Sequence, residues 1–371
     1  MAPPALFPNL AGPRPHPLSM SLSQYLTLGR SGLRVSPLCL GTMTFGTEWG
    51  WGSGEAACGQ ILDAYLQAGG NFIDTADLYT GGTSEEICGR LIRDRSLRDR
   101  VVVATKYTFN AQPGNPNAGG NGRKNMYRAL EGSLRRLQTD YIDLYWMHVW
   151  DGSTPVEEVM AGMNDLVRSG KVRYIGFSDV PAWYAARAQT LAQFAHSEPV
   201  IALQLEYSLV ERSIEREHVR AALELGMGIC PWSPLAGGFL SGKYRRGEQG
   251  EGRLEIMSSS GNTAFEKRTE RNWRVLDALL EAAKELGRAP AEVALNWVAT
   301  QRGVSSTIIG ATKMSQLESN LRALDFTIPP EVRVRLDEAS RLERAHPYVM
   351  FDTAPFPEMI NGGVTVGRWG A

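Results

Sequence analysis

The chain has 371 residues, of which 43% are hydrophobic and 21% are charged, the composition of an ordinary globular protein. Its 39 basic and 40 acidic side chains give a formal net charge of -1, which offers no electrostatic reason to bind nucleic acid or an anionic membrane. No apolar run reaches the roughly 18 residues of a membrane-spanning helix. The four cysteines form no C-x-x-C pair, and the five histidines show no zinc-ligand spacing. We therefore expect a cytoplasmic protein with reduced thiols and no metal.

The chain begins with a proline-rich segment, residues 1–20, which lacks the apolar core of a secretory signal. We expect this segment to be a disordered leader. Residues 21–34 follow, with a Gly-Arg-Ser-Gly turn between two short strand-like pieces. This pattern predicts a β-hairpin that caps the bottom of the main domain.

Eight short apolar segments then alternate with longer segments of helical periodicity. They are VSPLCLGT from Val35, FIDTA from Phe72, VVVATK from Val101, IDLYWMH from Ile142, VRYIGFSD from Val172, PVIALQLE from Pro199, MGICPWSP from Met227 and STIIGAT from Ser306. Almost all are continuous apolar runs, which is typical of strands buried on both faces in a parallel sheet.

Helical patterns separate these strands, for example from Glu85, Arg123, Pro155 and Pro290. A helix after nearly every one of eight strands predicts an α/β fold, a single (β/α)8 TIM barrel over residues 21–340. A doubly wound open sheet would normally carry G-x-G-x-x-G after its first strand, and residues 35–46 contain no such motif. Long loops follow the third and seventh strands, at residues 107–122 and 235–264. We expect the tail, residues 341–371, to pack near the barrel mouth.

Ionisable side chains concentrate where the predicted strands end. Asp74 and Tyr79 follow the second strand, Lys106 ends the third and His148 ends the fourth. Taken singly, a strand-end lysine usually reaches solvent, a histidine is usually a core residue and an aspartate can cap a helix. Their joint occurrence indicates an active site, because barrel enzymes place catalysis at this end and buried neighbouring charges must pair.

Six motifs along the chain resemble those of the aldo-keto reductase family. They are FIDTADLY at 72–79, ATK at 104–106, WMH at 146–148, IGFSD at 175–179, PLAGGFLSGKY at 234–244 and IIGATKMSQLESN at 308–320. The resemblance runs from about Tyr25 to Leu324 in the family's order. Within the family, the chain looks most like the aryl-alcohol dehydrogenase and potassium-channel β-subunit branch.

The resemblance implies a catalytic set of Asp74, Tyr79, Lys106 and His148. Tyr79 would donate the proton in carbonyl reduction, although a free tyrosine has a pKa of about 10. A Lys106 ammonium nearby would favour the phenolate, and Asp74 would hold that ammonium in place. His148 would hydrogen-bond the substrate oxygen and orient it.

The resemblance also implies NADPH as cofactor, with NADH less favoured. Ser178, Asp179 and Gln204 would bind the nicotinamide carboxamide, and Trp232 would stack on the nicotinamide ring. Further cofactor contacts are expected at Thr42, Met43, Ser233, Pro234, Leu235, Gly237, Lys243, Gly310, Thr312, Gln316 and Asn320.

Cofactor choice depends on positive charge near the 2′-phosphate, which Lys313 and Arg253 could supply. The alternative is that both are solvated surface charges. Two positions depart from the commoner family pattern: Asp179 stands where many members have Asn, and Ser319 where related sequences often have Glu.

Aromatic side chains on the loops suggest an aryl or other apolar substrate. We expect Trp49, Trp51, Tyr107 and Trp150 to line its pocket, with Phe109 and Trp183 nearby, although loop tryptophans often serve packing alone. The expected activity is the reversible reduction of small aldehydes or ketones to alcohols. Two alternatives stay open: a cofactor-binding regulatory subunit with slow turnover, which would form a homo-oligomer, and a different barrel enzyme with a Schiff base on Lys106.

Overall fold

The computed structural model describes residues 20–247, 254, 266–343, 345–352 and 355–364. The leader up to residue 19, the position of Arg253 and most of the predicted loop beyond residue 247 therefore lie outside the described residues. No helix in the described part of the chain is both long and apolar enough to cross a membrane.

Eight parallel strands form a nearly closed barrel, which confirms the predicted (β/α)8 architecture. In chain order the strands are β3 (Leu38–Gly41), β4 (Phe72–Asp74), β5 (Val102–Tyr107), β6 (Ile142–Met147), β7 (Val172–Ser178), β8 (Val200–Glu206), β9 (Gly228–Trp232) and β10 (Thr307–Ile309). They pair in the order β10-β3-β4-β5-β6-β7-β8-β9. β9 and β10 are the two ends of this order. Between them, the amide of Ser305 donates to the carbonyl of Ile229 at 2.8 Å, and this hydrogen bond links the two edges of the barrel.

The predicted N-terminal hairpin is present as β1 (Leu26–Thr27) and β2 (Arg34–Val35). Its Leu28 is fully buried among side chains that fill the barrel interior, so the hairpin plugs the amino end of the barrel. Gly29 makes this possible, because its φ is +60° and a Cβ there would lie 2.3 Å from the Ile201 carbonyl oxygen. The first barrel strand starts at Leu38 and not at Val35 as predicted, since one apolar run spans both elements.

Helices surround the strands. They are α1 (Glu55–Gln67), α2 (Thr83–Asp94), α3 (Arg123–Leu137), α4 (Val156–Arg168), α5 (Ala182–Ala195), α6 (His218–Leu225), α7 (Glu270–Leu286), α8 (Pro290–Ala299), α9 (Met314–Arg322) and α10 (Pro330–Ala339). The tail contains α11 (Val349–Asp352) and α12 (Phe356–Asn361). Its Tyr348 hydroxyl donates to Glu217 Oε1 at 2.6 Å, just before α6.

Side chains along each strand alternate between two cores. Val102 and Ala104 of β5 pack inside the barrel, whereas Val103 and Tyr107 pack in the larger core between strands and helices. The same alternation points Lys106 into the barrel, at the carboxyl end of β5. A residue at a strand end can reach a common site only if its side chain faces the barrel interior and not the helices.

Candidate active site

A buried ion pair forms the centre of the site. Lys106 Nζ contacts Asp74 Oδ2, and the two side chains are 0% and 2% exposed. The same ammonium donates to the Thr75 carbonyl oxygen at 2.8 Å and to the Tyr79 hydroxyl at 3.0 Å. All three hydrogen bonds of the ammonium are therefore satisfied by the chain, and one of them is made to a phenol.

The surroundings of this ion pair keep the Lys106 side chain positively charged. Burial by itself would lower the pKa of Lys106, but the negative charge of Asp74 and the Tyr79 hydroxyl outweigh burial and raise that pKa above its usual range. Lys106 consequently stays protonated at every physiological pH. A permanent cation 3.0 Å from the phenol oxygen stabilises a phenolate there.

His148 lies on the other side of Tyr79. The two ring centroids are 5.9 Å apart with the planes at 78°, and the ring of Phe109 meets His148 edge-on at 4.8 Å. Burial, and then the Lys106 charge, hold the pKa of His148 well below its usual value. His148 Nδ1 is buried and has no hydrogen-bond partner among the described residues. The imidazole is therefore neutral and has unused hydrogen-bonding capacity.

Ser178 and Gln204 are both predicted to bind the carboxamide. Ser178 ends β7 and pairs with Gln204 of the adjacent strand β8, and both are buried. Gln204 Nε2 donates to Asp74 Oδ1 at 3.0 Å, so it contacts the carboxylate of the buried ion pair directly. One hydrogen bond thus connects the residue predicted to bind the carboxamide to the ion pair. Sequence reasoning placed both residues but missed this contact.

Asp179 and Trp232 contact one another at the open end of the barrel. Trp232 Nε1 donates to Asp179 Oδ1 at 3.1 Å, and Asp179 has the left-handed φ of 44°. Desolvation by the surrounding protein raises the pKa of Asp179 to about 7, although the Trp232 hydrogen bond opposes the rise and the residue keeps an exposed surface. Beside Trp232, Glu206 pairs with Lys267 at 2.8 Å, a contact that the sequence did not reveal.

The loop after β9 makes a series of tight turns. Ser233, Ala236, Gly237 and Gly238 all have positive φ values of 49° to 94°. Pro234 is buried, Leu235 is partly buried, and the Lys243 ammonium lies 4.9 Å above the Tyr244 ring centroid. The Ala236 and Gly238 amides donate to the carbonyls of Ser233 and Leu235 at 2.8 and 2.9 Å, so hydrogen bonds within the loop fix its path.

The start of α9 contains the other predicted cofactor segment. Gly310 is exposed, and a Cβ there would meet nothing nearer than a Thr44 methyl at 4.0 Å. Gln316 Oε1 accepts from the Thr312 amide at 2.8 Å and from the Lys313 amide at 3.2 Å, so this side chain caps the helix. Asn320 Nδ2 donates to the Gly310 carbonyl at 3.1 Å. The exposed Lys313 thus stands at a fixed helix start.

Thr42 and Met43 directly follow β3, and Thr42 is fully buried. The Thr42 amide donates to the Asp74 carbonyl at 2.9 Å, and the Thr42 hydroxyl is hydrogen-bonded to the Ser84 hydroxyl at 2.9 Å. Ser319, where relatives often have Glu, donates to Glu292 at 3.3 Å. Glu292 also pairs with Arg322, so a carboxylate still stands beside position 319.

The predicted pocket aromatics divide into three groups. Trp49 packs against Trp51 with ring centroids 5.6 Å apart and against Tyr79 at 6.3 Å. Trp150 meets Trp183 edge-on at 5.5 Å and lines a cleft of about 370 Å³ beside Asp179.

Tyr107 is not brought to the site. It is fully buried in the helix-side core, where its ring stacks on Tyr145 at 5.1 Å. The reason is the strand alternation, which sends consecutive residues Lys106 and Tyr107 to opposite faces of β5. The pocket prediction for Tyr107 is therefore wrong in its geometry, while Phe109, further along the loop, reaches His148.

Comparison with known proteins agrees with this geometry. The family model described as "Aldo/keto reductase family" matches residues 37–341, so the chain belongs to the aldo/keto reductase family and is an oxidoreductase.

Among its relatives, the aryl-alcohol dehydrogenase (NADP(+)) of Phanerodontia chrysosporium is 36% identical, with 92% of each chain covered. Norsolorinic acid reductase of Aspergillus flavus is 35% identical over 87% of this chain and 82% of its own. A probable voltage-gated potassium channel subunit beta of Oryza sativa subsp. japonica is 38% identical over 83% of this chain and 94% of its own. These relatives belong to the branch that the motifs resemble.

Proposed function

We propose that the protein reduces aldehydes or ketones, preferably aryl or other apolar ones, to alcohols with NADPH, in a reversible reaction. The observation that carries this proposal is the Tyr79 hydroxyl, held 3.0 Å from the permanently charged Lys106 ammonium in a buried pair. The name of a relative that is an aryl-alcohol dehydrogenase with NADP(+) supports the cofactor and the substrate class.

The chain's own residues manage the proton and the developing charge. Tyr79 donates its phenolic proton to the carbonyl oxygen, and Lys106 stabilises the phenolate that remains. The neutral His148 donates a hydrogen bond that orients the same oxygen and stabilises negative charge on it. When bound, the nicotinamide would supply a hydride, one hydrogen with two electrons, to the carbonyl carbon, and the proton from Tyr79 would complete the alcohol.

The residues present fit that cofactor. Ser178, Asp179 and Gln204 offer hydroxyl, carboxyl and amide groups at adjacent strand ends, and Trp232 offers a ring fixed by Asp179. The turns at 233–238 and the open Gly310 would admit the pyrophosphate and the adenosine half, with Lys313 near a 2′-phosphate. Trp49, Trp51 and Phe109 would form the apolar wall for the substrate.

The test is NADPH oxidation with a panel of aryl and aliphatic aldehydes, comparing wild type with Tyr79→Phe. Tyr107→Phe is the matched control, because its phenol lies in the helix-side core. Turnover that falls at least a hundredfold in Tyr79→Phe alone, with unchanged cofactor affinity, supports the proposal. Tight NADPH binding without turnover of any carbonyl would instead favour the regulatory-subunit reading, and absence of nicotinamide binding would refute both.

A further inference from the structure

We propose that Gln204 is a positioning residue for the catalytic carboxylate: its amide crosses the barrel to hold Asp74 and joins the cofactor carboxamide site to the proton donor. This inference rests on the proposed function and deepens it. The proposed role of Gln204 is to hold the Asp74 carboxylate in position, in addition to its expected contact with the cofactor carboxamide.

The contact spans the barrel and does not follow from strand pairing. Asp74 ends β4 and Gln204 lies near the carboxyl end of β8, and these strands are four places apart in the eight-stranded order. The Gln204 side chain therefore reaches across the interior to place Nε2 at 3.0 Å from Asp74 Oδ1. Both residues are nearly fully buried, at 3% and 2% exposed, so water cannot readily replace the amide as a donor.

The two oxygens of Asp74 have separate partners. Oδ2 pairs with Lys106, while Oδ1 accepts from Gln204. Loss of the amide would leave one oxygen of a buried carboxylate without that donor, which is costly in a water-poor interior. The carboxylate would then be free to rotate about its Cβ–Cγ bond, and the position of the Lys106 ammonium against Tyr79 would be less well defined.

The same contact fixes the orientation of the amide. A flipped Gln204 would put its carbonyl oxygen against Asp74 Oδ1, where two acceptors repel. With one Nε2 hydrogen on Asp74, the second hydrogen and the carbonyl oxygen are left for other partners. A group bound at the strand ends beside Ser178 would therefore find the Gln204 amide already oriented. Its binding would be coupled to the position of the Asp74 carboxylate.

Two substitutions and one control test this role. Gln204→Met removes the donor at similar volume. Gln204→Glu provides a donor only while its new carboxyl is protonated, and the neighbouring Asp74 raises the pKa of that carboxyl. Gln189→Met is the control, because Gln189 is a buried glutamine on α5 whose side-chain oxygen accepts from the Val200 amide at the start of β8 and whose Nε2 donates to the Leu225 carbonyl.

The readouts are single-turnover hydride transfer at saturating NADPH and, on the cofactor-free protein, the free energy of unfolding, both from pH 5.5 to 8. We expect Gln204→Met to slow hydride transfer about tenfold at every pH. Gln204→Glu should approach the wild-type rate at pH 5.5 and fall below Gln204→Met at pH 8. Its stability relative to Gln204→Met should fall over the same interval, because a folded-state pKa raised above the unfolded value gives stability that rising pH removes.

The inference is overturned if Gln204→Met matches Gln189→Met in rate, or if Gln204→Glu keeps the wild-type dependence of rate and stability on pH. The proposed function fails separately, when wild type binds NADPH but reduces no carbonyl. In that case the pH dependence of unfolding in Gln204→Glu still reports whether the amide contacts Asp74.

Discussion

His148 faces Tyr79 edge to face, with ring centroids 5.9 Å apart and the ring planes at 78°. A charged imidazole here would compete with Lys106 for the same phenol and would repel the Lys106 ammonium. The structure avoids this conflict, since burial and the Lys106 charge hold the pKa of His148 well below its usual value. A neutral hydrogen-bond donor and a permanent cation thus approach the phenol from different directions.

The first prediction concerns the pH dependence of catalysis. Because the pKa of His148 is depressed, the ring stays neutral above its usual pKa of about 6.5 and also for some distance below it. The profile of kcat/KM should therefore show no inflection near pH 6.5 that depends on His148. His148→Gln, which keeps an N–H donor, should retain more activity than His148→Leu, which should lose about a hundredfold. An inflection near pH 6.5 that disappears in His148→Gln would contradict the neutral assignment.

The second prediction concerns the buried ion pair. Lys106→Met should lower the free energy of unfolding by about 3–5 kcal/mol, because it leaves Asp74 charged and unpaired in the interior. Lys106→Met combined with Asp74→Leu should recover much of that loss and still be inactive. Lys171→Met is the control, since Lys171 pairs with Glu131 at a half-exposed site, and it should cost less than about 1 kcal/mol. Urea unfolding measures all three, and additivity of the two buried substitutions would refute a direct pairing.

The sequence predicted the barrel and the hairpin, and it named the strand-end residues Asp74 and Lys106 that the structure pairs, because these depend on the order of strands and on strand ends. It could not predict the face of a strand end. The run from Val101 to Lys106 is almost continuously apolar, so no polar alternation marks the face on which Tyr107 lies. The pocket prediction for Tyr107 was wrong for this reason.

Contacts between distant elements also escaped sequence reasoning. Gln204 and Asp74 are 130 positions apart, and only barrel closure brings them within 3.0 Å. Gln316 matched a family contact, yet its oxygen caps α9 through the amides of Thr312 and Lys313. Motifs place residues near a site, but they do not say which of their atoms are already used by the fold.

The third prediction uses the titration of Asp179. Its pKa is raised to about 7, so the carboxyl is largely protonated below pH 7 and ionised above it. An ionised carboxyl beside the nicotinamide site favours the positively charged oxidised ring over the neutral reduced ring. The ratio of NADP+ to NADPH affinity should therefore rise severalfold as pH increases from 6 to 8. Asp179→Asn keeps an acceptor for Trp232 and should make that ratio independent of pH. An unchanged slope in the variant would show that Asp179 does not titrate against the cofactor.

The last prediction concerns cofactor choice. Lys313 is exposed at the start of α9, where the Gln316 cap fixes the backbone and the helix N-terminus adds positive potential. Lys313→Met should weaken NADPH binding about tenfold and leave NADH binding nearly unchanged, because only NADPH carries a 2′-phosphate. Lys284→Met, which removes a lysine from the last turn of α7, is the control for net charge. Affinities are measured by nicotinamide fluorescence at two salt concentrations. Added salt screens the long-range attraction of the cofactor to the net charge of the protein more than it weakens a direct contact between Lys313 and the phosphate. If Lys313→Met weakens NADPH and NADH equally, the 2′-phosphate is bound elsewhere, and Arg253 becomes the next residue to change.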